Sequence, residues 1–113
     1  MFENQSNGES CDDPIATLDL SPILKKVTAS FEDGGYDWPV DETQELIEVY
    51  RSYLFDARAY LRKCGSQDRP SLAPPSREVD ILWHTHILFT RKYMGDCDRI
   101  FGHYLHHEPI SPE

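Results

Sequence analysis

All five histidines of this chain lie between His84 and His107, in an H-x-H pair (His84, His86) and an H-x-x-H-H run (His103, His106, His107). Cys97 stands between the two groups, and Asp80 precedes His84 by four residues. Imidazole, thiolate and carboxylate are the donors that zinc and iron sites use, with three protein ligands and an open position where the metal is catalytic. The pattern therefore nominates His84, His86, Cys97, His106 and His107 as metal ligands. Two residues apart on a helix is about 200° of rotation, so His84 and His86 point to nearly opposite sides unless the helix ends between them. His86 shares a stripe with Val79, Leu82 and Trp83 and is the inward one. Asp80, one turn before His84, is placed to hold a ring nitrogen of His84 and to orient it behind a metal. Trp83 and Tyr93, with Phe89, Phe101 and Tyr104, are candidates for the walls of a small-molecule pocket.

Other readings of the same residues stand beside this one. Asp80 with His84 is also an ordinary helix-surface pair. His86 is also a core histidine, and Cys97 a small buried hydrophobe. His103, His106 and His107 also suit a polar helix end, where cations are favoured. A Cys97–His dyad needs a thiol of lowered pKa and an imidazole in reach, and no glycine-rich turn supplies an oxyanion hole.

The elements that must hold these residues are helical. Ser21 and Pro22 open a short amphipathic helix as cap and first residue, with Ile23, Leu24, Val27 and Phe31 inward and Gly34-Gly35 at its end. Tyr36 to Pro39 is a loop with two aromatic anchors. Asp41, with Gln44 three residues on, starts a helix to Lys63, whose stripe is Leu46, Val49, Tyr50, Tyr53, Leu54, Ala57, Tyr60 and Leu61. The 66–75 stretch, with Pro70, Pro74 and Pro75, is a linker. Ser76 caps a third helix. A tight turn near Phe89-Thr90 precedes a fourth, lined by Tyr93, Cys97, Ile100, Phe101 and Tyr104. There is no convincing strand. The expected fold is all-α, one domain of about four helices, with the long helix against the histidine-bearing hairpin. Residues 1–18 are expected to form a disordered acidic leader, 19–109 the domain and 110–113 a tail.

Bulk properties narrow the function. With 113 residues the chain suits one domain that buries a core without staples. Three dispersed cysteines without a C-x-x-C pair indicate neither a zinc ribbon nor a disulfide framework. The net charge of −9 argues against nucleic acid as a partner. Five acids and no base lie in residues 1–20, leaving 15 acids against 11 bases beyond them. No apolar run approaches the ~20 residues that span a bilayer, and no targeting signal opens the chain, so a cytosolic location without membrane attachment is expected.

The run Val79-Asp80-Ile81-Leu82-Trp83-His84-Thr85-His86-Ile87-Leu88 resembles the V-D-x-x-W-H-x-H-x-L signature of the glycine-rich domain-containing protein family. Tyr93-x-x-Asp96-Cys97 and Phe101-Gly102-x-x-Leu105-His106-His107-x-Pro109 look like the remainder of that signature in small bacterial members. The resemblance implies importance for Asp80, Trp83, His84, His86, Tyr93, Cys97 and His107, with His106 in the bacterial form, but no particular reaction. Larger plant relatives add a glycine-rich tract and an RNA-binding module. With six glycines and neither addition, this chain inherits no expectation of RNA binding. Two functions follow as expectations. The first is a cytosolic domain binding zinc or iron through the His/Cys cluster, as a metal-dependent enzyme on a small molecule. The second is a non-catalytic interaction or regulatory module for a protein partner, with the His/aromatic cluster structural.

Overall fold

The computed structural model describes residues 12–64 and 73–107, with Cys64 as backbone alone. Among these residues, four α-helices and one 3-10 turn follow in order: α1 (Ser21–Thr28), the turn Phe31–Asp33, α2 (Val40–Cys64), α3 (Arg77–Leu88) and α4 (Thr90–Phe101). Among the described residues there is no strand. The all-α expectation is met. Helix α3 sits centrally, packed on α1, α2 and α4, and its buried face is Val79, Leu82, Trp83, Thr85 and His86. No helix among the described residues is long and apolar enough to cross a membrane.

Local chemistry explains the boundaries. Helix α1 starts at Ser21, which is its first helical residue and not the expected cap; the Asp19 carboxylate just before it accepts from the Ser21 backbone N–H at 3.0 Å. It ends at Thr28, earlier than the apolar spacing implied. Ala29 turns extended there, and Tyr36 and Trp38 donate back to the Val27 carbonyl. Phe31, expected inward, is consequently 72% exposed. Gly35 packs so closely that an added Cβ would stand 2.2 Å from the Ala29 carbonyl oxygen.

Helix α2 begins within a residue of the expected position. Its inward stripe is Thr43, Ile47, Tyr50, Leu54, Ala57 and Leu61, at helical spacing, with Tyr53 and Arg58 alongside. Val49, assigned to that stripe by sequence, faces out. Ser76 caps α3 as expected, its hydroxyl accepting from the Val79 N–H. Phe89 alone separates α3 from α4, its N–H bonded to the His86 carbonyl. Gly102 then stops α4 in the left-handed conformation at φ 80°, donating to the Cys97 and Asp98 carbonyls. Residues 103–107 therefore leave the helix, and Tyr104 does not extend the α4 face as the spacing suggested.

Of the expected leader, residues 1–11 lie outside the described residues, as do the tail 110–113 and most of the proline-rich linker. Residues 12–18 are described, and Asp13, Ile15 and Leu18 are buried. Ile15 and Leu18 are core residues. Two arginines of α2 hold this arm. Arg58 forms a buried pair with Asp13 at 2.7 Å, and Arg51 donates to the Ile15 and Leu18 carbonyls at 2.7 and 2.9 Å. An irregular arm carries no periodicity, so these anchors left no pattern in the sequence.

Candidate functional site

The α3–α4 hairpin gathers most of the chemistry-bearing side chains, though not around one point. Its centre is His86. The inward face of α3 carries the ring to 1% exposure, between Tyr50 of α2 and Asp96 of α4. Tyr50 Oη lies 2.7 Å from His86 Nδ1, and His86 Nε2 lies 2.8 Å from Asp96 Oδ2. A carboxylate only accepts, so Nε2 carries the proton and donates to Asp96. Nδ1 then accepts from the Tyr50 hydroxyl. Burial pushes the Tyr50 phenol well above its usual pKa, which keeps that donor protonated. Burial also lowers the pKa of His86, against the opposing pull of Asp96, and favours the neutral ring.

Asp96 is buried as well, at 1% exposure. Its burial opposes ionisation, but hydrogen bonds from His86 and Lys92 outweigh that and hold the carboxyl below its ordinary range. Lys92, one turn earlier, reaches Oδ2 at 3.2 Å, and Arg99 pairs with Oδ1. The carboxylate is thus ionised and neutralised from the surface side, and the imidazole is locked from the core side.

A second relay runs parallel. Trp83 Nε1–H donates to the Tyr93 hydroxyl at 2.8 Å, and that hydroxyl donates to the Leu105 carbonyl at 2.6 Å. It secures the segment after Gly102 to both helices. Two residues on, the His107 ring stacks on Trp83 with centroids 3.8 Å apart and planes 5° apart, while its Nε2 meets Asp80 Oδ1 at 2.7 Å. Asp80 therefore serves His107 and not His84. An α-helical side chain leans toward the N-terminus, and Trp83, stacked beneath His107, brings that ring within reach of the carboxylate.

The remaining candidates are dispersed. His84 is exposed on the opposite side of α3 from His86, as the 200° rotation requires. His103 lies exposed with its Nδ1 at the Tyr104 carbonyl, and His106 lies against the Tyr104 ring. Cys97 is a buried core residue. Burial pushes its thiol up, despite hydrogen bonding with the Leu105 backbone and the Tyr93 side chain. That is opposite to what a nucleophile or thiolate ligand needs.

Among the described residues no group of three or more His, Cys, Asp or Glu is placed to hold a metal ion. This overturns the zinc- or iron-binding reading and the metal-dependent enzyme built on it. The physical reason is visible ligand by ligand. His86 spends both nitrogens on Tyr50 and Asp96, His107 spends one on Asp80 and its face on Trp83, Cys97 faces the core, and His84 faces away. Trp83 and Tyr93, expected to wall a pocket, are core residues bonded to each other.

Sequence reasoning missed Tyr50 and Asp96 as partners of His86. A signal for Asp96 existed. It lies three residues after Tyr93 on the buried stripe of α4, with Lys92 and Arg99 at the helical distances that pair with a carboxylate. A carboxylate on an apolar stripe needs a buried partner, and His86 on the facing stripe was the available one.

The family model described as UCP032817-like matches residues 37–111, from the loop before α2 through the segment after α4. Glycine-rich domain-containing protein 2 of Arabidopsis thaliana is 26% identical over 101 residues, covering 88% of this chain and 11% of that protein. The chain thus spans a small part of that relative's length. No solved structure matches the chain. The matched region contains the whole Tyr50–His86–Asp96 network and both closing relays, and the chain belongs to the UCP032817-like family and is related to the glycine-rich domain-containing proteins.

Proposed function

We propose that this domain is a non-catalytic module that binds a protein partner, and that its histidine and aromatic residues are structural. The observation that carries the reading is the closure of the central network. Tyr50, His86 and Asp96 are 0%, 1% and 1% exposed and satisfy one another, leaving no face at which a substrate could meet them. A catalytic base has to come within about 2.6–3.2 Å of the proton it takes. His86 already has both nitrogens engaged at such distances by protein groups.

The exterior supports a binding role. Phe31, Leu88 and Met94 are large apolar side chains that stand mostly in solvent. The same unit also occupies 11% of a much longer relative, as expected of a module joined to other parts. A cytosolic setting fits the free thiol of Cys97.

The test is to record imidazole and backbone spectra of the isotope-labelled protein against a library of small metabolites. The reading expects His86 and Tyr50 resonances to stay fixed with every compound. A metabolite that moves them, or a turnover abolished by His86→Gln in a folded protein, contradicts it.

A further inference from the structure

Helix α2 also lines a groove along one flank, with the buried Tyr53 and Ala57 as its floor and Val49 and Tyr60 at its rim. Val49, Tyr53, Ala57 and Tyr60 recur along it at spacings of four, four and three, and Asp56 flanks them. Pro75, in the segment leading into α3, forms the facing wall. Together they bound a groove of about 490 Å³, inside the ~300–1,000 Å³ range of built ligand sites. Val49 stands at the head of this groove with 44% of its surface in solvent.

Among the described residues, the charged side chain that lines the groove is acidic. Asp56 is exposed at its edge. Asp80, 44% exposed, lies close enough for its charge to act on the Tyr53 phenol. Arg51 and Arg58 of α2 are committed elsewhere, Arg51 to the arm carbonyls and Arg58 to Asp13. No basic side chain among the described residues lines the groove.

We propose that this groove docks an extended, arginine- or lysine-bearing segment of a protein partner, with the cation at Asp56 and flanking apolar side chains along Val49, Tyr53 and Tyr60. The inference rests on the interaction-module reading above. Tyrosine rings favour an extended segment, because their flat surfaces accept prolyl and aliphatic groups and attract a cation. A second copy of this chain is a poor occupant. Its net charge of −9 would set like charges against each other. The same charge would speed the approach of a basic segment.

The experiment selects binders from a displayed library of random nonapeptides on the full chain. The strongest peptide is then titrated into the ¹⁵N-labelled protein and into two variants, Asp56→Asn and Tyr60→Ala, each checked for native circular dichroism. The expected result is enrichment of Arg or Lys beside Pro or aliphatic residues, with amide shifts confined to the α2 groove and Pro75 flank. Each variant should weaken binding about tenfold or more, as groove-centre contacts do. A selection that yields no binder, or acidic and neutral peptides, overturns the proposal. So does a basic peptide whose affinity is unchanged by Asp56→Asn, or whose shifts map to another face. Those outcomes leave the interaction-module reading standing, since that reading fails separately, on metabolite-induced shifts at His86.

Discussion

Replacing His86 by leucine measures how much of the fold depends on the central network. Leucine is close to imidazole in volume, so the change leaves little cavity and the loss is mainly polar. The Tyr50 hydroxyl, fully buried, is left without its acceptor. An orphaned buried hydroxyl costs about 1–3 kcal/mol. Asp96 loses one charge-assisted bond but keeps Lys92 and Arg99, so its share lies near the low end of the ~1.5–3 kcal/mol range for such bonds. Better burial of the leucine side chain offsets part of this, and the net loss should be about 2–4 kcal/mol. That is a large fraction of the ~5–15 kcal/mol that holds a domain together.

The assay is urea unfolding of His86→Leu, Tyr50→Phe and the double variant, read as a cycle. Tyr50→Phe removes the group that His86→Leu orphans, so the double variant should be more stable than the sum of the singles predicts, by about 1–2 kcal/mol. If His86→Leu does not fold, the cycle of Tyr50→Phe with Asp96→Asn reads coupling through the same ring. Losses that add to within about 0.3–0.5 kcal/mol would refute the relay.

The other predictions follow from neighbouring groups. Burial holds His86 below its ordinary pKa of 6.5, so its contribution is complete above that value and lost as pH falls through it toward the folded-state pKa. Asp13 and Asp96, held below 3.8, add a second loss beneath that value. The urea midpoint should therefore fall in two steps on acidification, His86→Gln should remove the upper step, and a flat profile between about pH 7 and 5 would contradict the assignment. His107→Ala should cost about 1 kcal/mol, chiefly the stacking on Trp83. Hydrogen exchange at residues 103–107 should accelerate in that variant, and unchanged protection would show that the relay to Leu105 suffices alone. Asp13→Ala should destabilise by about 3–5 kcal/mol because it removes the carboxylate that pairs with the buried Arg58 guanidinium. Restoration by a second change, Arg58→Met, checks that the cost lies in the lost Asp13–Arg58 pairing, and a loss below about 1 kcal/mol would place the arm outside the cooperative fold.

The architecture was legible because it is written in local signals. The stripe of α2, the Ser76 cap, the break at Phe89 and the inward place of His86 all follow from 3.6-residue periodicity and capping chemistry. The early ends of α1 and α4 were not legible in the same way. Apolar spacing continues through Phe31 and Tyr104, and only the bonds closing back on Val27 and the left-handed turn at Gly102 end the helices sooner. The site was misread at the level of partners. Clustering in sequence placed five histidines on one hairpin, but helix rotation, Trp83 stacking and the buried carboxylate of Asp96 sent them to separate duties. The Asp13 anchor of the arm lies 45 residues from Arg58, a separation at which no short-range pattern operates.

The central claim is that His86 is a buried structural imidazole with a fixed tautomer, and long-range ¹⁵N–¹H spectra of the ring test it most directly. The account predicts a protonated Nε2, a bare Nδ1 accepting from Tyr50, and a ring that titrates below the ordinary histidine pKa. A ring protonated at Nδ1, or one that titrates near 6.5 in free exchange with solvent, would contradict it.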